Sequence, residues 1–297
     1  MTHIFSPPKN RWLIFLSAVS LGAAGCSEVV SVAANLPSYF SNQKITRDLD
    51  FGSQYGSKLD VYRPADHRGG HPVIVFFYGG SWKSGDKSTY RFVADAFTGR
   101  GYVVVIPNYV KYPRAKFPAW QEDAARAIVW THVNIARYGG DAQELLVMGH
   151  SAGGQIGAIA VTDNAYLKRD GGDRGWVRAF AGLAGPYDFI PDDPDYIAMF
   201  GPPDRYSRMQ VPTFIDGRQP PMLLLWGTSD KVVGESNVTQ LVAALKSNGG
   251  EYRVKFYDGL GHVDMVGALT RIERGKAPIL DDVDKWFKSH LKKPHNP

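Results

Sequence analysis

The sequence predicts an α/β fold: a doubly wound, mostly parallel sheet with helices on both faces. Three observations carry this. Short, near-continuous apolar runs recur along the chain, as strands covered on both faces require. Segments of helical periodicity separate them, and a β-α-β-α alternation argues against a barrel or a sandwich. The 297 residues, 44% hydrophobic and 21% charged, give ample material for such a core.

Taken in order, the first feature is a leader. Lys9 and Arg11 precede an apolar run, Trp12 to Gly25, that ends at Cys26 and is closed by Glu28. A charged start, a short apolar stretch and small residues at the exit read as an export signal, and the run is short for a membrane span. Cys26 is the only cysteine, so no intrachain disulfide can form. Ala23-Ala24-Gly25-Cys26 resembles the lipobox of bacterial lipoproteins, with Ala23 where leucine is usual. The resemblance implies lipidation of Cys26 and a cell-envelope location; the alternatives are a plain cleaved signal, leaving the protein periplasmic or secreted, and an uncleaved anchor. Residues 1–26 are therefore read as a signal or lipoprotein segment, residues 27–45 as a linker and residues 46–293 as the catalytic domain.

Strands follow. Lys58-Leu59-Asp60-Val61-Tyr62 alternates polar and apolar residues before Arg63-Pro64, as for a half-buried antiparallel strand. Continuous apolar runs come next: Val73 to Tyr78, Tyr102 to Ile106, Leu145 to Met148, Phe180 to Leu183 and Met222 to Trp226. Tyr252 to Phe256 alternates and reads as an outer strand. Helical segments are Tyr90 to Arg100, Trp120 to Tyr138, Asn237 to Asn248 and Asp281 to Leu291. The segment 186–221 carries eight prolines and breaks the rhythm; it is expected to be a lid-like excursion over the functional edge of the sheet.

Charge excludes one class of function. The formal net charge is +5, with Lys and Arg scattered except for Lys285, Lys288, Lys292 and Lys293 at one helix end. No basic-aromatic face suited to nucleic acid is present in the pattern.

The chemistry is concentrated at Gly149-His150-Ser151-Ala152-Gly153-Gly154. A strand ending in G-x-S-x-G and turning directly into a helix is the setting of a nucleophile elbow. The tight turn needs glycine two residues either side of the serine and leaves the Ser151 hydroxyl exposed. A serine nucleophile needs a base and a carboxylate to orient that base. Gly227-Thr228-Ser229-Asp230 follows one strand, and Asp258-Gly259-Leu260-Gly261-His262 follows the next. The chain order serine, acid, base is thus met by Ser151, Asp230 and His262. Asp258 and Asp264 are reserve acids, Asp141 reads as a turn residue, and His150 as a packing residue whose side chain points away through the elbow. Tyr78-Gly79-Gly80-Ser81-Trp82 leaves a core strand as a glycine-rich loop, and the backbone N–H groups of Gly80, Ser81 and Ala152 are the expected oxyanion hole. Trp82 and Trp120, with Tyr187, Phe189, Tyr196 and Phe200, are candidates to line a substrate cleft, packing being the competing role.

These residues, with Leu59 to Pro64, Pro107-Asn108-Tyr109 and the approach from Asn134 to Asp141, resemble the α/β-hydrolase superfamily and, within it, bacterial carboxylesterases related to hormone-sensitive lipase. The resemblance spans about Leu59 to His290. It implies an esterase without metal or cofactor that acts on small to medium acyl esters through an acyl-enzyme, with Ser151 as nucleophile, His262 as base and Asp230 as acid. Two departures stand out. Tyr78 replaces the histidine that opens the oxyanion segment, and Ser81 replaces its third glycine. Amide chemistry, as in an exopeptidase or a kynurenine-formamidase-like enzyme, remains an alternative, with Asp192, Asp193 and Asp195 as possible grips for a substrate amine. A non-catalytic binding protein on the same fold is another.

Overall fold

The apolar runs assemble into one sheet, in a computed structural model that describes residues 34–66 and 68–292. The leader 1–26 with Cys26, and residues 27–33 of the expected linker, lie outside the described residues. Among the described residues the strands are β1 (Lys44–Asp50), β2 (Lys58–Arg63), β3 (His71–Phe77), β4 (Val103–Pro107), β5 (Gly140–His150), β6 (Val177–Leu183), β7 (Met222–Gly227) and β8 (Tyr252–Tyr257). They lie in the order β1-β2-β4-β3-β5-β6-β7-β8. β1 and β2 are antiparallel to their neighbours, and every other pairing is parallel.

The principal helices are α1 (Arg91–Thr98), α2 (Ala119–Asn134), α3 (Ala152–Thr162), α4 (Asn164–Arg169), α5 (Pro194–Phe200), α6 (Ser236–Ser247), α7 (Asp264–Gly267) and α8 (Ile279–His290). From β3 the chain crosses to β4 on one side through α1, then returns past β3 to β5 through α2. Right-handed crossovers in opposite directions put α1 and α2 on opposite faces. That reversal makes the C-terminal ends of β3 and β5 the switch point of the sheet, where open α/β folds form their crevice. Phe77 at the end of β3 stands beside Gly149 near the end of β5. The two glycine-rich exits are therefore neighbours.

The central strands are apolar on both faces because both are covered. Val73 to Phe77, Val103 to Ile106 and Leu145 to Met148 are fully buried. On the face of α1 and α8, Arg100 and Tyr102 both bond to Asp284, and Arg271 grips Asp95 through two hydrogen bonds.

Two segments differ from expectation. Residues 34–39, within the expected linker, are helical, and Asn35 accepts from the Phe92 N–H and donates to the Thr89 carbonyl. An amide side chain satisfying the backbone at the start of α1 fastens this segment to the domain. The segment 186–221 is more ordered than its prolines suggest, holding α5 and 3-10 turns at Pro203–Arg208 and Val211–Phe214. Proline at the first position of α5 and of the Pro203–Arg208 turn costs no hydrogen bond, since that N–H has no intrahelical partner. No helix among the described residues is long and apolar enough to cross a membrane.

Candidate active site

β5 delivers Ser151 into a strained turn. Its φ of 54° and ψ of −128° lie where a side chain is disfavoured, and α3 begins at the next residue. The flanking glycines are forced by backbone contact. A Cβ on Gly149 would lie 2.2 Å from the Gly153 carbonyl oxygen, and one on Gly153 would lie 2.1 Å from that of Phe77. The strain is held by the Ser151 N–H donating to the Leu183 carbonyl and by the Gly154 N–H donating to the Ser151 carbonyl.

The loops after β7 and β8 bring two further groups to this turn. His262 Nε2 lies 2.8 Å from Ser151 Oγ, and His262 Nδ1 lies 2.8 Å from Asp230 Oδ2. With the Nδ1 proton donated to the carboxylate, Nε2 is left to accept the hydroxyl proton, which is the arrangement a general base needs. Asp230 is immobilised at both oxygens, because Oδ1 accepts from the N–H groups of Val232 and Val233. Its side chain is fully buried, and that of His262 is 10% exposed. Ser229 N–H donates to the Leu260 carbonyl, and the Thr228 hydroxyl donates to Asp258 while accepting from the Gly259 N–H. These bonds pin the acid loop to the histidine loop. The reserve acids are thereby occupied elsewhere: Asp258 by Thr228, and Asp264 by the Gly261 N–H and Lys276.

The loop after β3 closes the other side. A Cβ on Gly79 would lie 2.9 Å from Ser151 Cβ, so only glycine passes here. Gly80, Ser81 and Trp82 all have positive φ, the two non-glycines being held in the left-handed region. Gly80 carbonyl accepts from the N–H groups of Lys83 and Ser84. Among the described residues the N–H groups of Gly80, Ser81 and Ala152 donate to no protein acceptor. Tyr78 anchors the start of this loop. Its hydroxyl donates to Asn108 Oδ1 at 2.6 Å, its ring stacks on Tyr90 and Tyr109, and its carbonyl accepts from the Tyr109 hydroxyl.

Trp82 carries the loop into the excursion. Its indole stacks on Phe189 and meets Phe200 edge-on, and Lys83 Nζ lies 2.5 Å from Asp195 on α5. The cleft expectation is not met at three positions, one of them Phe200, which is buried against Trp82, Phe117 and Trp120. Trp120 is completely buried between Phe117 and Phe200, and Tyr187 is packed against Gly182 and Gly185, so both are packing residues. Phe189 and Tyr196 remain half-buried at the edge of the cluster. Of the three carboxylates weighed as an amine grip, Asp193 caps α5 and Asp195 is paired with Lys83.

His150 departs from the expectation of a packing residue turned away from the site. Its side chain does not point away from the chemistry: Nε2 lies 3.1 Å from the His262 carbonyl oxygen, and the two rings are 5.0 Å apart. Burial, with the His262 charge as a second cause, pushes His150 down to about 3, so the ring is neutral near pH 7. No sequence pattern marks this role, since the residue before the serine has no fixed direction until the loop after β8 is placed.

A cavity of about 580 Å³ lies behind the oxyanion segment, lined by Asp86, Asn108, Tyr109, Lys111 and Arg114 among others. It contains none of Ser151, His262 and Asp230, and touches the site only through the residues that hold Tyr78. No group of three or more His, Cys, Asp or Glu among the described residues is placed to hold a metal ion.

The family model described as BD-FAE matches residues 59–245. A rice protein, probable isoprenylcysteine alpha-carbonyl methylesterase ICMEL1 of Oryza sativa subsp. japonica, is 28% identical over 273 residues, covering 82% of this chain and 63% of that protein. Esterase LipQ of Mycobacterium tuberculosis is 27% identical over 224 residues, covering 69% of this chain and 53% of its own. The chain spans less than two thirds of the length of these curated relatives. Among solved structures, a truncated form of a carbohydrate esterase from gut microbiota superposes with a TM-score of 0.73 at 20% identity, covering 83% of this chain and 96% of that one. That likeness establishes the α/β-hydrolase fold.

Proposed function

The chain belongs to the BD-FAE family, and from that footing we propose that it is a serine carboxylesterase acting on small to medium acyl esters through an acyl-enzyme intermediate. The observation that carries the reading is the unbroken line from Ser151 Oγ through His262 to Asp230, 2.8 Å at each step. The names of its relatives, methylesterase and esterase, agree in reaction class.

Ser151 Oγ attacks the ester carbonyl carbon as its proton passes to His262 Nε2. Asp230 holds the Nδ1 proton and stabilises the imidazolium without taking that proton. The carbonyl oxygen becomes an oxyanion received by the N–H groups of Gly80, Ser81 and Ala152, each worth about 3 kcal/mol of transition-state stabilisation. Collapse breaks the C–O bond, and the alcohol leaves with the proton from Nε2. Water then attacks the acyl-enzyme, gives a proton to His262, and the acid departs as Ser151 is reprotonated. Trp82, Phe189 and Tyr196 border the acyl side, and the segment 186–221 serves as the lid.

The reading includes the N-terminus. Residues 1–26 direct export, and Cys26 carries the lipid that attaches the enzyme to the membrane of the cell envelope. Lys9, Arg11, the apolar run and Ala23-Ala24-Gly25 support this. Mass spectrometry of the mature N-terminus tests it, and an unmodified Met1 would refute it.

The activity itself is tested with p-nitrophenyl acetate and butyrate. Wild type hydrolyses them and Ser151→Ala does not; equal rates for the two proteins would sink the proposal.

A further inference from the structure

His150 is a buried ionisable group beside the Ser151–His262–Asp230 line that the mechanism leaves unused. It is 5% exposed and placed between the loop that carries His262 and the loop after β3. On one side Nε2 reaches the backbone carbonyl of His262. On the other, a Cβ on Gly79 would lie 3.1 Å from Nδ1, so the bare nitrogen faces the oxyanion segment. Because Nε2 bonds to a carbonyl, it carries the ring proton, and Nδ1 has no partner among the described residues. We propose that His150 is a positioning residue: its Nε2–H tethers the His262 backbone so that the His262 ring holds its place when it takes and returns the serine proton.

Three features of the site make the tether matter. His262 stands outside any regular element, between the end of β8 and the start of α7. Among the described residues its ring bonds only to Ser151 and Asp230, and one of those partners changes chemically during turnover. Its backbone carbonyl is held by His150 alone among the described residues. The tether also runs from β5 itself, since His150 is the last residue of the strand that delivers Ser151. Nucleophile and base are thus referred to the same rigid strand. A ring that stays uncharged suits this post, because a second cation 5.0 Å from His262 would oppose formation of the imidazolium.

The inference rests on His262 being the base, and three replacements isolate it. His150→Leu removes the donor. His150→Asn keeps a polar group but stops one bond short of Nε2. His150→Gln places an amide N–H close to where Nε2 stands. The expected result is a fall in kcat of about 10²-fold for Leu and Asn with KM within about twofold, and recovery of most of that loss in Gln. If Leu fails to fold, the Asn and Gln pair carries the comparison at matched thermal stability. Wild-type kcat in the Leu or Asn variant, or a Gln variant as impaired as Asn, overturns the proposal. Ser151→Ala run alongside separates this from the wider reading. An inactive Ser151→Ala beside a fully active His150→Leu removes only the tether, whereas an active Ser151→Ala removes the esterase mechanism itself.

Discussion

The Tyr78 hydroxyl donates to Asn108 Oδ1 at 2.6 Å, and this bond joins the exit of β3 to the exit of β4. Asn108 Oδ1 also accepts from the Lys87 N–H, while its amide nitrogen donates to Asp86. Burial holds the Tyr78 phenol well above its ordinary value of 10.0, so it remains a donor throughout the working pH range. A tyrosine therefore fixes the loop after β3 from behind.

Tyr78→Phe keeps the stacked rings and removes only this donor. Asn108 Oδ1 retains the Lys87 N–H, so no acceptor is orphaned and the stability loss is about 1 kcal/mol. The expected signature is a lower kcat with little change in KM, because a loosened oxyanion segment weakens binding of the transition state rather than of the substrate. Steady-state kinetics checks the kcat effect and chemical denaturation the stability loss.

Gly153→Ala puts a methyl group 2.1 Å from the Phe77 carbonyl oxygen and 2.4 Å from that of Tyr78. Neither is a flexible side-chain end, so β3 and α3 must move apart. The expected cost is about 3 kcal/mol or more, read as a lower yield of soluble folded protein and a lower unfolding midpoint. Gly171→Ala is a suitable contrast for space alone, since no atom lies within 4 Å of its added methyl and only its φ of +81° opposes the change.

Asp230→Asn keeps the shape of the carboxylate and reverses the hydrogen bonding at His262 Nδ1. A fall in kcat of about 10,000-fold is expected, as for a base held in the wrong tautomer. Asp258→Asn and Asp264→Asn act on turns rather than on the imidazole and should stay far closer to wild type. Kinetics of the three variants with one p-nitrophenyl ester decide which acid orients the base.

His150 gives the fold a specific sensitivity to acid. In the unfolded chain it protonates near 6.5, while in the fold burial and the neighbouring His262 hold it down to about 3, against the opposing pull of Asp230 and the His262 carbonyl. Above pH 6.5 both states are neutral and no stability is lost. As pH falls from 6.5 towards 3, the unfolded state binds a proton that the folded state does not, and stability falls by up to about 1.4 kcal/mol per pH unit from this residue. Unfolding free energies of wild type and His150→Gln, measured between pH 7 and pH 4, should converge as pH falls if Gln is less stable at pH 7, or cross. Parallel curves would contradict a buried neutral histidine.

Much of this was legible in the sequence because the relevant constraints are local. Continuous apolar runs mark doubly covered strands, and glycine at 149 and 153 marks a turn whose backbone leaves no room for Cβ. The order of Ser151, Asp230 and His262 at strand ends followed from the same pattern. What escaped is relational. The tether from His150 to His262 joins residues 112 apart in sequence. The burial of Trp120 follows from where Phe200 of the excursion lands. The docking of residues 34–39 depends on the exposed backbone at the start of α1. None of these leaves a periodic or compositional trace.

The acyl-enzyme is the most direct test of the esterase mechanism. Wild-type protein mixed with excess p-nitrophenyl acetate and quenched in acid within the first turnover should show one added acetyl group, localised to Ser151 by peptide mass spectrometry and absent from Ser151→Ala. Ester hydrolysis with no adduct at Ser151, or an equal adduct in Ser151→Ala, would contradict the mechanism.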